Sequence, residues 1–257
     1  MIKRVLLNFY EVNDVDAVCS FTKKIAEKFK IDICGMYVKD IRKYEVTAPS
    51  IEGIAVEVSN EYALKEWENS EKLIAKEIEE KFKQHFPDEV FLIEEGITSD
   101  TVLYRLRGYD MLITFKGDTI RSEIKNMIKS RYKAIVLVPR QEDYSFENIL
   151  FADDDGENAN KSFFYFMALF GETVNYNVLS VNIDMKDRGL EDYMELSGYR
   201  NCFYEKTGDE FNEIIKEIDK NDMIVMGNLR YFYMLEKIIG KTGVKLLENS
   251  KIPIFIA

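Results

Sequence analysis

The chain predicts an α/β fold built as two tandem, open, parallel five-stranded α/β sandwich domains. Three observations carry that expectation. Continuous apolar runs too short for helices alternate with longer segments whose apolar residues recur at a period near 3.6, the pattern of a parallel sheet covered on both faces. The order then repeats, with Met111–Phe115 (MLITF) answered by Met223–Met226 and Ala134–Val138 (AIVLV) by Ile252–Ile256. Finally, 257 residues suit two domains of ordinary size. Domains are expected at residues 1–142 and 143–257, divided in the polar, proline-containing segment Pro139–Phe146.

Taken in order, Arg4–Phe9 predicts a strand, Val15–Phe29 a helix and Ile31–Val38 a second strand. Trp67, Ile74, Ile78, Phe82 and Phe86 fall on one face of a long helix. Val90–Ile93 supplies the third strand, Thr101–Leu106 a helix, Met111–Phe115 the fourth strand, Ile120–Ile128 a helix and Ala134–Val138 the fifth strand. In the second half, Asn148–Phe170 reads as strand then helix. Asn177–Asn182 and Cys202–Tyr204 read as strands, the latter ending near Gly208, and Phe211, Ile214, Ile215 and Ile218 mark a helix. Met223–Met226 is a buried strand that Gly227 ends where the chain must turn. Gly240 and Gly243 bracket the start of a helix carrying Val244, Leu246 and Leu247, and free N–H groups at such an end can hold a phosphate.

Charge and residue usage exclude several functions. With 35 Lys and Arg against 46 Asp and Glu, the formal charge is −11 and spread along the chain, a surface that repels nucleic acid. No run reaches the length of a membrane helix and the amino terminus lacks a signal-peptide cleavage site, so a cytosolic protein is expected. Cys19, Cys34 and Cys202 lie far apart without a Cys-x-x-Cys, which disfavours a disulfide framework and a zinc site, and Cys34 is expected to pack inside a strand. His85 is the only histidine, expected on a helix as a surface or half-buried side chain. Catalytic triads and histidine-based zinc hydrolases are thereby excluded. Gly240-Lys241-Thr242 resembles the end of a phosphate-binding Walker loop, but Leu235 stands where its first glycine is needed. Asp153, Asp154, Asp155 and Glu157 form an acidic turn that can share a magnesium ion with phosphates or cap a helix. Asp155 or Gly156 suits the start of the helix, with Asp155 and Glu157 read as capping and Asp154 as a ligand contact, and the spacing does not fit a calcium loop.

Gly227, two residues, Arg230, nine residues, then Gly240-Lys241-Thr242 resembles the universal stress protein family, whose nucleotide-binding members carry Gly-x-x-Gly, nine residues, then Gly-Ser/Thr. Asp154 after an apolar strand is similar to the Asp of that family's opening strand. The resemblance covers nearly the whole chain as a tandem form, of the adenine nucleotide alpha hydrolase-like type. It implies a stress-response protein binding ATP or another adenine nucleotide, with Mg2+, at Asp154, Val181, Met226, Gly227, Arg230, Gly240, Lys241, Thr242 and Gly243, with Val181 contacting adenine through its backbone. It also implies an intramolecular pseudo-dimer joined through Ala134–Val138 and Ile252–Ile256, with a protein partner unidentified and a homodimer left open. Three positions depart from the family pattern: Arg230 replaces the second glycine, Lys241 a hydroxyl residue, and Gly243 a common Ser or Thr. Arg230 can either fill the phosphate space or pair with a phosphate bidentately. Those departures leave a second reading, a non-nucleotide interaction and dimerisation module of the same fold. Neither reading is an enzyme; no side chains pair as nucleophile and base, and ATP turnover is slow hydrolysis at most. Tyr10 near the Asp position and the short Lys116–Ile120 segment predict a first half without a nucleotide site.

Overall fold

The computed structural model describes residues 1–43, 56–130, 132–183, 189–227 and 242–257. The first half holds β1 (Arg4–Phe9), α1 (Val15–Ala26), β2 (Asp32–Asp40), α2 (Val56–His85), β3 (Val90–Gly96), α3 (Thr98–Arg105), β4 (Met111–Phe115), α4 (Ser122–Ser130) and β5 (Ala134–Val138). The second holds β6 (Asn148–Asp153), α5 (Glu157–Phe170), β7 (Asn175–Val181), α6 (Gly189–Leu196), β8 (Asn201–Lys206), α7 (Glu210–Ile218), β9 (Met223–Met226), α8 (Thr242–Asn249) and β10 (Ile254–Ile256).

All ten strands form one sheet in the order β3-β2-β1-β4-β5-β10-β9-β6-β7-β8. Pairing is parallel within each half. At the join, β10 runs antiparallel to β5, with Ile254 opposite Leu137, Phe255 opposite Val136 and Ile256 opposite Ile135. The expected contact between the final strands of the two halves is therefore a continuous ladder, and neither strand is left as an open edge. All five residues of β4 and of β5 are buried, because helices cover both faces of a parallel sheet.

A repeated anchor shows the common plan of the halves. The Asp110 carboxylate accepts the backbone N–H groups of Lys3 (2.7 Å) and Arg4 (2.9 Å), which fixes the start of β1 against β4. In the second half Asp222 accepts those of Glu147 and Asn148 (both 2.8 Å), fixing β6 against β9 in the same way. One apolar layer on each side of the sheet then runs through both halves. Phe29 meets Phe170 at 5.6 Å between ring centroids, and Phe21 meets Phe146 at 6.2 Å. The expected divide at Pro139–Phe146 is packed down, with the Tyr144 hydroxyl donating to the Pro139 carbonyl at 2.6 Å.

Three expectations change. The first helix ends at Ala26 and not at Phe29, since Phe29 reaches the core from a turn whose N–H still bonds Ile25. The third helix starts at Thr98 and not at Thr101, because Thr98 is buried and donates to the Asp40 carboxylate. Helix α6 was not foreseen: it has only eight residues, and its apolar stripe of Leu190, Tyr193 and Met194 spans little more than one turn, with Met194 alone fully buried.

Candidate functional site

In the second half, chain order runs outward through β6, β7 and β8 and then reverses to β9 on the other side of β6. Ligands of open α/β sheets bind outside the carboxyl ends of the strands at such a switch point. Here that position is a cleft of about 140 Å³, room for on the order of ten water molecules. Ala152, Asp153 and Asp154 supply its β6 side, Met226 and Gly227 its β9 side, and Leu179, Val181 and Ile183 its β7 side. Glu210 and Ile214 of α7 and Gly243 and Leu246 of α8 complete the described lining.

Five residues singled out from the sequence, Asp154, Val181, Met226, Gly227 and Gly243, line this one cleft. Thr242 is the first residue of α8. Arg230, Gly240 and Lys241 lie outside the described residues. Sequence reasoning missed the apolar wall of Leu179, Ile183, Ile214 and Leu246. Alternation along β7 was the available signal, since Leu179, Val181 and Ile183 are spaced by two.

The acidic turn differs from its expected form. Gly156 and not Asp155 is the N-cap of α5, and no side chain caps the helix. Asp155 adopts a left-handed backbone (φ 55°), which Asp tolerates better than most side chains. Its neighbours make the turn: Asp153 Oδ1 accepts the N–H of Asp155 and Asp154 Oδ1 that of Gly156, each at 3.0 Å. Glu157 does sit in the first turn, where its charge meets the positive end of the helix. Asp153 is buried, and burial raises its carboxyl above the usual range, with the adjacent carboxylates adding to the effect and the Asp155 N–H opposing it. Asp154 is exposed beside it.

Gly227 is required by packing. A Cβ there would lie 2.2 Å from the Cα and N of Ala159 and 2.7 Å from the carbonyl carbon of Asn158. The first turn of α5 therefore presses directly on the end of β9, and only a residue without a side chain permits it.

The same place in the first half holds, among the described residues, large aromatic and charged side chains. Asn8 lies opposite Thr114 as Ala152 lies opposite Met226, so Tyr10 takes the place of Asp154 and Phe115 that of Gly227. The Arg121 guanidinium lies over the Tyr10 ring at 5.0 Å and bonds Glu11 at 2.8 Å. Arg42 grips Asp40 at the end of β2 through two bonds (2.8 and 2.5 Å) and reaches Glu123 of α4 at 2.9 Å, crossing the region that is a cleft in the second half. Burial disfavours the Asp40 charge, but hydrogen bonds from Arg42 and Thr98 outweigh it and hold the carboxyl well below the usual range.

Other sequence candidates have structural settings. His85 is half-buried with Nε2 3.0 Å from Asp16 Oδ1, and Cys34 is buried. Among the described residues no cluster of His, Cys, Asp or Glu is placed to hold a metal ion, and no helix is long and apolar enough to cross a membrane.

The architecture defines a class: a doubled parallel α/β protein whose second half keeps a cleft at the sheet's switch point, while at the equivalent strand ends of the first half the described residues include Tyr10, Arg42 and Arg121 in ion-pair and ring contacts. Solved structures give that class a closer description. A universal stress protein from Archaeoglobus fulgidus matches with a TM-score of 0.69 over 98% of this chain and 95% of its own, at 12% identity. A functionally unknown protein from Pseudomonas aeruginosa matches with a TM-score of 0.60 over 99% of this chain and 92% of its own, at 11% identity. No protein-family model matches the sequence, and no curated protein matches it. The chain has the universal stress protein fold in tandem, an α/β fold with one ten-stranded, mostly parallel sheet.

Proposed function

We propose that the second half binds ATP or a related adenine nucleotide and that occupancy changes how the protein meets a protein partner, in the manner of a stress-response regulator. The observation that carries this reading is the polarity of the cleft. Between β7 and α7 lies an apolar slot of Leu179, Val181 and Ile214, suited to a flat base, while the α8 side of the cleft begins at Gly243, where helical N–H groups favour anions. Asp154 and Glu210 accept hydrogen bonds from ribose hydroxyls or an exocyclic amine and repel phosphate. The base and sugar therefore lie toward β6 and β7 and the phosphates toward α8. Arg230, Gly240, Lys241 and Thr242 are proposed to complete the phosphate side. A magnesium ion would arrive with the nucleotide, held by phosphate and Asp154, and would supply charge neutralisation there.

On this reading, residues 1–142 form a closed unit that completes an intramolecular pseudo-dimer and residues 143–257 the ligand-binding unit of a cytosolic, non-catalytic protein, with a homodimer still open. The second reading, an interaction module without nucleotide, is favoured by Gly227, whose contact with Ala159 accounts for the glycine without any ligand. Thermal unfolding separates the two. A ligand at about one hundred times its dissociation constant adds roughly 2.7 kcal/mol, a rise in Tm of about 5–10 °C for a chain of this size. An unchanged Tm in millimolar ATP with magnesium would leave the interaction module as the function.

A further inference from the structure

Helix α8 begins at the cleft and ends against the first half of the molecule. Its last turn contains no basic side chain. The Leu246 carbonyl is taken by Ser250 N–H at 2.8 Å, and among the described residues the next two carbonyls are bonded from the other half. Lys116, immediately after β4 of the first half, supplies the partner: its Nζ donates to the carbonyls of Leu247 (3.0 Å) and Glu248 (2.8 Å). Lys116 is 4% exposed, so this ammonium is removed from water and held at the negative end of a helix. Helix α5, whose first turn meets the end of β9, is also bonded by the first half. Ile2 N–H donates to the Leu169 carbonyl at 2.9 Å, and the Tyr165 hydroxyl to that of Asp110 at 3.1 Å.

We propose that Lys116 is a positioning residue for the second half's cleft: by clamping the carboxyl end of α8 it sets where the amino end of that helix meets a bound phosphate. The first half thereby acts on the site of the second. A ligand that draws α8 toward the cleft pulls on Lys116, and the β4–α4 connection of the first half is the place where occupancy is felt. The consequence for ligand binding rests on the nucleotide reading above; the clamp itself does not.

Two measurements on the full-length chain keep those apart. Hydrogen exchange without nucleotide is followed at the α8 amides in wild type, Lys116→Met and Lys116→Arg. The clamp requires exchange at Leu246–Ser250 to be about tenfold faster in the Met variant, with α1 unchanged and the Arg variant restoring protection. Unchanged exchange in α8, or equal acceleration in α1, overturns the clamp whatever the protein binds. Binding of a fluorescent N-methylanthraniloyl ATP and of adenosine is then compared. Positioning requires Lys116→Met to weaken the ATP analogue by about fivefold and adenosine by clearly less, since the phosphates are the groups placed at the amino end of α8. Equal loss for both ligands, or for neither, refutes a role in phosphate placement. Absence of binding in the wild type refutes the nucleotide reading, and with it the consequence for ligands, while the exchange result still decides the clamp.

Discussion

Gly227→Ala perturbs the contact on which the cleft's geometry depends most closely. The added Cβ meets the N and Cα of Ala159 at 2.2 Å and the carbonyl carbon of Asn158 at 2.7 Å, all backbone atoms that cannot rotate away. Ordinary carbon contacts begin near 3.5 Å, so β9 or the first turn of α5 must retreat by about 1 Å. Met226 and Ala159 are both buried, and the retreat opens the interface between them to poorer packing. Overpacking costs typically 1–3 kcal/mol, and a clash with backbone belongs at the upper end, about 3 kcal/mol. For a chain of this size that is a fall in Tm of about 6–12 °C, with a lower urea midpoint at unchanged slope. Ala159→Gly offers a control, because it removes a methyl group that takes no part in the clash and should rescue nothing. A fall in Tm under about 2 °C, or full rescue by Ala159→Gly, would refute the reasoning. Gly227→Ala will also weaken any ligand of the cleft, so loss of affinity at this position does not by itself assign a phosphate contact.

The remaining expectations concern the anchors and the charges. Asp222→Ala removes the acceptor of two backbone N–H groups and should cost about 1–3 kcal/mol by urea unfolding, and Asp110→Ala a similar amount in the first half; no loss for either would dismiss the repeated anchor. Asp40 has its folded pKa depressed, so its stabilisation is present above the unfolded value near 3.9 and is lost as pH falls through the lower folded value. Arg42→Gln should therefore destabilise by about 1–3 kcal/mol at pH 7, with the difference from wild type shrinking below about pH 4. A pH-independent difference would contradict the pairing. Asp153 shifts the other way: its raised carboxyl imposes a cost that grows as pH rises from the unfolded value through the folded one and is constant above. Asp153→Asn, which keeps an oxygen for the Asp155 N–H, should raise Tm at pH 7 and leave it unchanged at pH 3. A lower Tm at pH 7 would show that the charge is stabilising.

Strands bounded by abrupt changes of polarity were legible to the residue. Arg4–Phe9, Met111–Phe115, Ala134–Val138 and Met223–Met226 match the structure, because strands buried on both faces are nearly continuous apolar runs, with Asn8 and Thr114 the buried polar exceptions. Features made by distant pairs were not legible. Neither Asp110 nor Asp222 stands out in sequence, yet each fixes the register of two strands, and Lys116 looks like any loop lysine until the helix end of the other half is placed beside it. The cleft was legible in its glycine and acidic residues, which are rare and turn-forming. Its apolar wall was hidden among other core positions: Leu179 and Val181 belong to the same apolar layer as Leu6 and Leu112. Of the two residues that suit the start of α5 in the sequence, Asp155 and Gly156, the structure takes Gly156 as the cap and places Asp155 in a left-handed turn.

Photolabelling of the full chain with 8-azido-ATP and magnesium, followed by mass spectrometric mapping, tests the central claim most directly. Label is expected on the second half, at the end of β7 or the start of α7 around Val181 and Glu210, and should be displaced by unlabelled ATP. Label confined to the first half, or insensitive to unlabelled ATP, would contradict an adenine nucleotide site in this cleft.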